Sequence, residues 1–189
     1  MKTHSVALTF VVAILMTTAD SAVAQNRGIS GQKAPELKVD KWVQLPKTAR
    51  AAKTKNVKIS DFKGKVVYMF FFQVHCPSCR ELGFPSIRTL KEKYAKDKDV
   101  AFVAIQTTHS SNSSIDNPTR AKALAQKFRL QGIAVGHSTS TRDKSIFKTY
   151  KPGGTPWVVL VDKHGVVRYN DYFLDPTQAA KKIESLKKL

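Results

Sequence analysis

Val66-Val67-Tyr68-Met69-Phe70-Phe71-Phe72 runs, through Gln73-Val74-His75, into Cys76-Pro77-Ser78-Cys79, and the reading of this stretch decides the fold. A continuous apolar run of this length, built from β-branched and aromatic residues, predicts a strand at the centre of a sheet covered on both faces. Beyond the cysteines the spacing changes, and Ile87, Leu90 and Tyr94 share one face of a helix predicted over Cys76 to Tyr94. The only two cysteines of the sequence therefore stand where a strand ends and a helix begins. Two thiols separated by two residues can interconvert between dithiol and disulfide with little backbone movement. The helix N-terminus offers unpaired N–H groups and the positive end of its dipole to a thiolate. A purely structural disulfide would gain little, because loop-closure stabilisation grows with loop length and this loop is very short. A zinc site needs four ligands, and the sequence has no second Cys pair or H-x-x-x-H spacing to complete one. The motif reads as a redox site.

Working toward the N-terminus, Ser60-Asp61-Phe62-Lys63-Gly64-Lys65 is a turn feeding the central strand, and the Lys- and Ala-rich segment from Pro46 to Lys58 reads as a loop. Leu37 to Leu45 alternates apolar residues around Trp42 and predicts an edge strand or hairpin. Gln25 to Lys33 is expected to be a flexible segment, so that the folded domain spans residues 34–189. Ahead of it, Lys2, the apolar stretch Val6 to Thr18 and Ala22-Val23-Ala24 before Gln25 have the pattern of a secretory signal peptide over residues 1–24. The apolar stretch is shorter than the roughly 20 residues that span a bilayer. Cleavage after Ala24 would leave an exported, single-domain chain, large enough to fold without a disulfide staple. Both thiols are then free for chemistry.

Toward the C-terminus, Val100 to Gln106 is the next strand, followed by a polar surface loop from Thr107 to Asp116. Asn117-Pro118 supplies an N-cap and a proline for a helix over Thr119 to Leu130 that ends at Gly132. Ile133 to Val135 reads as a short strand, Ser145 to Tyr150 as a short helix and Trp157 to Val161 as a strand, with Trp157 in the core. Asp162-Lys163-His164-Gly165 turns the chain into a hairpin returning through Val166 to Tyr172. Pro176 to Leu189 closes as an amphipathic helix. This order predicts an α/β fold with a central mixed sheet flanked by helices.

Lys and Arg number 32 against 14 Asp and Glu, a formal net charge of +18. The lysines spread over Lys47 to Lys65, Lys91 to Lys98 and Lys181 to Lys188, which argues against a nucleic-acid-binding stripe. A generally cationic surface implies at most a weak attraction to acidic partners or an anionic membrane surface.

Three motifs carry a resemblance: Lys63-Gly64-Lys65-Val66-Val67; Cys76-Pro77-Ser78-Cys79 with Phe84-Pro85 after it; and Gly153-Gly154-Thr155-Pro156-Trp157 followed by Asp162 to Gly165. Together they resemble the TlpA/ResA branch of the thioredoxin-like (redoxin) superfamily. Ala34-Pro35 and the C-terminal helix extend the similarity over nearly all of the chain beyond residue 24. The resemblance implies a thioredoxin-like fold and periplasmic or otherwise extracytoplasmic thiol-disulfide exchange on protein substrates. It implies no cofactor or metal, and a membrane-linked thiol-disulfide electron donor. It also implies a cis Thr155–Pro156 bond beside the cysteines, whose backbone meets an extended substrate segment. The resemblance favours a protein-disulfide reductase, with a dithiol oxidase as the alternative direction. A reading from another class is a periplasmic copper or zinc carrier using Cys76, Cys79 and His75, since soft thiolates suit Cu(I). A peroxidase would need a threonine where the chain has Gln73.

Four departures from the resembling pattern bear on mechanism. His75 stands where most relatives have tryptophan, and Phe70 where thioredoxin has a buried aspartate. Glu81 comes two residues after Cys79, one earlier than in ResA-like proteins. Phe84-Pro85 comes one residue late, implying a single insertion near Gly83 that shifts the helix register. Cys76, nearest the helix N-terminus, is the expected attacking thiolate and Cys79 the resolving thiol. A helix terminus contributes about 0.3–1 kcal/mol, whereas one pKa unit is worth about 1.36 kcal/mol. Further tuning must come from donors around Cys79, from protonated His75 or from Glu81.

Overall fold

The computed structural model describes residues 27–46, 49–108, 115–139 and 145–189. Among these residues the chain forms β1 (Lys41–Gln44), α1 (Ala49–Thr54), β2 (Val66–Phe72), α2 (Phe84–Lys93), β3 (Val100–Thr107), α3 (Pro118–Lys127), β4 (Ala134–Ser138), α4 (Ile146–Tyr150), β5 (Trp157–Val161), β6 (Val167–Tyr172) and α5 (Pro176–Lys187). The six strands make one mixed sheet in the order β1-β4-β3-β2-β5-β6. β2, β3 and β4 run parallel, while β1, β5 and β6 pair antiparallel to their neighbours. The expected α/β fold with a helix-flanked mixed sheet is the fold observed.

The run occupies the middle of this sheet because its seven side chains are all buried and, the Tyr68 hydroxyl apart, bring no hydrogen-bonding group to either face. Val66, Tyr68, Phe70 and Phe72 point to one side and pack with Ile87 and Leu90 of α2, Leu124 of α3 and Ile183 of α5. Val67, Met69 and Phe71 point to the other and pack with Ile29, Leu37, Ala51, Ile146, Tyr150 and Trp157. Side chains of this size contribute about 1.5–3 kcal/mol each when fully buried, which makes β2 the strand that both layers are built on. At its C-terminal end the rings of Phe72 and Phe84 are 4.8 Å apart and those of Phe84 and Phe128 stack at 4.4 Å, tying β2 to α2 and to the end of α3. Helix starts follow the cap signals. Asn117 accepts from the Arg120 N–H at 3.0 Å, and Asp175 accepts from the N–H groups of Thr177 and Gln178.

The fold corrects four expectations. The segment from Pro46 to Lys58 contains α1, because its alanines favour helix and Ala51 is drawn into the core with Val57 just after it. The described part of the segment read as flexible, residues 27–33, is tied down. Ile29 is buried, Gly28 N–H donates to the Lys151 carbonyl at 2.8 Å, Gly31 N–H to the Val167 carbonyl at 2.8 Å, and Lys33 bridges to Val166. α3 ends before Gly132, with Phe128 as its C-cap and Arg129 at φ +55°. The loop from Thr107 to Asp116 is not all at the surface. Thr108 and Asp116 are buried, while residues 109–114 lie outside the described residues. The signal-peptide reading, on residues 1–24, also falls outside them.

Candidate active site

β2 delivers the chain to the rim of the sheet, where Gln73, Val74 and His75 turn it into the cysteine motif. Both polar groups of Val74 are held: its N–H donates to Asp116 Oδ1 at 2.7 Å, and its carbonyl accepts from Arg80 Nη2 at 2.6 Å. The turn therefore starts from a fixed backbone. Cys76 and Cys79 are joined by a disulfide, with Cα atoms 5.3 Å apart. The Cys79 N–H donates to Cys76 Sγ at 3.1 Å, which aims a first-turn helix donor at that sulfur. Cys76 is 7% exposed and Cys79 fully buried, so an incoming sulfur reaches Cys76 first.

Behind the motif, residues 77–93 are continuously helical, but Cys79–Gly83 is a π-helical turn in which the Phe84 N–H reaches back five residues to the Cys79 carbonyl. A π-turn is a one-residue insertion into an α-helix. It accounts for the late position of Phe84-Pro85, and the widened turn accommodates Pro85, which inside a regular helix would clash with the carbonyl four residues back. Gly83 is the close-approach point. A Cβ built there would lie 2.6 Å from the Phe70 ring and 3.3 Å from Pro156 Cβ.

The third wall is the loop before β5. The Thr155–Pro156 bond is cis, the geometry the resemblance implies. The Thr155 carbonyl oxygen lies 3.5 Å from Cys76 Sγ, and the Thr155 hydroxyl donates to Gln73 Oε1 at 3.1 Å, linking this loop to the end of β2. Trp157 is buried, as read, and its indole N–H donates to Asn170 Oδ1. Tyr172 stacks edge-on against it and donates its hydroxyl proton to the Gly153 carbonyl at 2.7 Å.

Cys76, Cys79, Thr155 and Pro156 thus converge on one rim. His75 is exposed, with Nδ1 3.5 Å from Asp116 Oδ2, and Glu81 is exposed on the π-helical turn. Sequence reading missed Asp116 and Arg80, the two side chains that fix Val74. Nothing in the local pattern marks Asp116, which looks like one more polar residue ahead of the Asn117 cap. Among the described residues, no group of three or more His, Cys, Asp and Glu side chains is placed to hold a metal ion. Nor is any described helix long and apolar enough to cross a membrane.

The Redoxin family model matches residues 29–187, and the chain belongs to this family. The match begins at Ile29, inside the segment first read as flexible and found pinned. No curated protein matches the sequence. Among solved structures, a thioredoxin-like superfamily protein superposes with a TM-score of 0.69 at 25% identity, covering 83% of this chain and 97% of that one. A thiol-disulfide isomerase from Corynebacterium glutamicum gives 0.66 at 22%, covering 84% and 97%. The thioredoxin domain of a thiol-disulfide oxidoreductase from Bacteroides vulgatus gives 0.61 at 20%, covering 83% and 96%. With its cysteine pair at disulfide distance, the protein is a thiol-disulfide oxidoreductase of the redoxin family.

Proposed function

We propose that the chain is an exported protein-disulfide reductase working outside the cytoplasm, reset by a membrane-linked dithiol donor. The reading is carried by one observation, the asymmetry of the pair: Cys76 at the rim with an N–H aimed at its sulfur, Cys79 buried behind it. In the reduced protein the Cys76 thiolate attacks a substrate disulfide. One substrate sulfur leaves as a thiolate and takes a proton, and a mixed disulfide forms. The Cys79 thiolate then attacks Cys76 Sγ, the second substrate thiol leaves, and the Cys76–Cys79 disulfide remains. Two electrons have passed to the substrate, and the donor dithiol must return them. The Thr155 carbonyl beside Cys76 Sγ is an acceptor for the backbone of a bound segment.

Support for export comes from the residue pattern of positions 1–24, and support for the reducing direction from the TlpA/ResA resemblance. The structural neighbours, among them a thiol-disulfide isomerase and a thiol-disulfide oxidoreductase, fit exchange in either direction. Insulin reduction by the reduced protein, with a potential measured against glutathione, tests the proposal. Cys76→Ser is expected to abolish turnover, and Cys79→Ala to accumulate substrates bound through Cys76. A potential near that of strong oxidants, about −120 mV, with dithiol oxidation and no insulin reduction, would assign the oxidase direction instead.

A further inference from the structure

Asp116 is the buried ionisable side chain nearest the redox turn that the exchange steps leave unused. It is 4% exposed and reaches the site from the end of the loop after β3. Its Oδ1 accepts from the Val74 N–H at 2.7 Å and from Gln106 Nε2 at 3.2 Å, and its Oδ2 faces His75 Nδ1 at 3.5 Å. Gln106 in turn meets His137 Nδ1 through its Oε1 at 2.6 Å. A carboxylate taken out of water is costly unless donors and a positive partner compensate it. Here one donor is the Val74 N–H of the redox turn itself, the other is the Gln106 side chain on β3, and the side chain facing Oδ2 is His75, next to Cys76.

We propose that Asp116 is a positioning residue: its buried carboxylate holds the His75 imidazole against the redox turn, and His75 favours the Cys76 thiolate only while Asp116 holds it. The proposal rests on the exchange mechanism above and deepens it. The sign of the effect separates it from a simple charge effect. A buried negative charge near a thiol by itself disfavours the thiolate, so removing it should favour ionisation. A carboxylate that acts by holding a cationic imidazole does the reverse. A positive charge beside a thiol favours its thiolate, and because His75 is 58% exposed, solvent screening limits the effect to a roughly 3- to 10-fold change in thiolate fraction below the thiol pKa.

The test measures the rate at which iodoacetamide alkylates the reduced full chain between pH 5 and 8, in the wild type, Asp116→Asn, His75→Gln and the double variant. The amide keeps an acceptor for the Val74 N–H but loses the charge. Other groups facing Asp116 are Arg80, through the Val74 carbonyl, and His137 across Gln106, with Asp40 near His137. All three are unchanged in every variant. Asp116→Asn is expected to slow alkylation at pH 6 by about 3- to 10-fold, with no further slowing in the His75→Gln background. Unchanged or faster alkylation in Asp116→Asn, or an equal slowing in both backgrounds, overturns the proposal. Should Asp116→Asn lose its near-ultraviolet dichroism, the wild type decides. An imidazole held by the carboxylate carries its neutral-state proton on Nδ1, visible in its ¹⁵N shifts, and a proton on Nε2 alone overturns the assignment. Absence of insulin reduction in the wild type would overturn the exchange reading and leave these alkylation rates to be judged by themselves.

Discussion

Gly83→Ala sets helix propensity against packing at one position. Gly83 has helical dihedrals, φ −64° and ψ −52°, so alanine meets no backbone strain and should gain about 1 kcal/mol of propensity. Against this, the new methyl would lie 2.6 Å from Cε2 and Cζ of Phe70, where ordinary contact begins near 3.4 Å. The ring must retreat by nearly 1 Å, and it has nowhere to go. Phe70 is fully buried, lies 5.1 Å from the Phe84 ring and 5.6 Å from the Phe72 ring, and its strand is paired on both sides by β3 and β5. Overpacking of this kind costs about 1–3 kcal/mol, and a ring wedged on several sides belongs at the upper end. The net expectation is a loss of about 1–2 kcal/mol. For a chain of this size that lowers the melting temperature by roughly 2–8 °C. Urea unfolding should show a lower midpoint with an unchanged slope. Phe70→Leu is destabilising by itself, but in that background Gly83→Ala should become neutral or mildly stabilising, a coupling of about 2–3 kcal/mol. A Gly83→Ala protein at least as stable as the wild type, or one with the same loss in both backgrounds, would refute the argument that the glycine is there for close approach.

Two further expectations concern pH. Asp162 sits at the β5–β6 turn, and its carboxylate accepts from the N–H groups of His164 and Val166, both at 2.9 Å, and from Arg168 Nε at 2.7 Å. Burial pushes its carboxyl up, but the Val166 N–H, the Arg168 guanidinium and the His164 N–H outweigh it and hold it below its ordinary value. A depressed carboxylate stabilises above its unfolded pKa of about 3.9 and loses that stability as pH falls through the folded value. Asp162→Asn should therefore cost about 1–3 kcal/mol at pH 7 and progressively less in acid, read from urea midpoints at pH 7 and pH 3. His137 is pushed below its ordinary value by burial, with Asp40 and Asp116 opposing. The neutral ring is the folded form, so stability should be full above about pH 6.5 and fall as pH drops through the lower folded pKa. His137→Gln should flatten that part of the stability profile, and an unchanged slope between pH 7 and 5 would show that the ring is not responsible.

The redox motif was legible because its signals are local. A fully apolar strand, a two-residue spacer and a helix-period pattern follow each other within about thirty residues, and the structure places Cys76 and Cys79 at that junction. The one-residue delay of Phe84-Pro85 was also a local signal, and it corresponds to the π-helical turn at Cys79–Gly83. Ala- and Lys-rich chain misled where propensity and charge pointed in opposite directions: α1 forms because Ala51 finds a hydrophobic layer to enter. Gly28, Ile29 and Gly31 looked like a loose leader, since their partners Lys151 and Val167 are more than a hundred residues away.

Sequence alone determined the central strand, the order of the strands and main helices that follow it, the cysteine pair and the family pattern, because each depends on periodicity or spacing between near neighbours. Only the tertiary structure decided that Asp116 is buried against the Val74 N–H, that Arg80 holds the carbonyl of the same residue, and that Gly83 makes room for Phe70 and Pro156. These contacts join residues from different elements, and the properties at stake are burial and distance. A polar residue in a loop carries no mark of either until the sheet and its helices bring a backbone N–H within 3 Å of it.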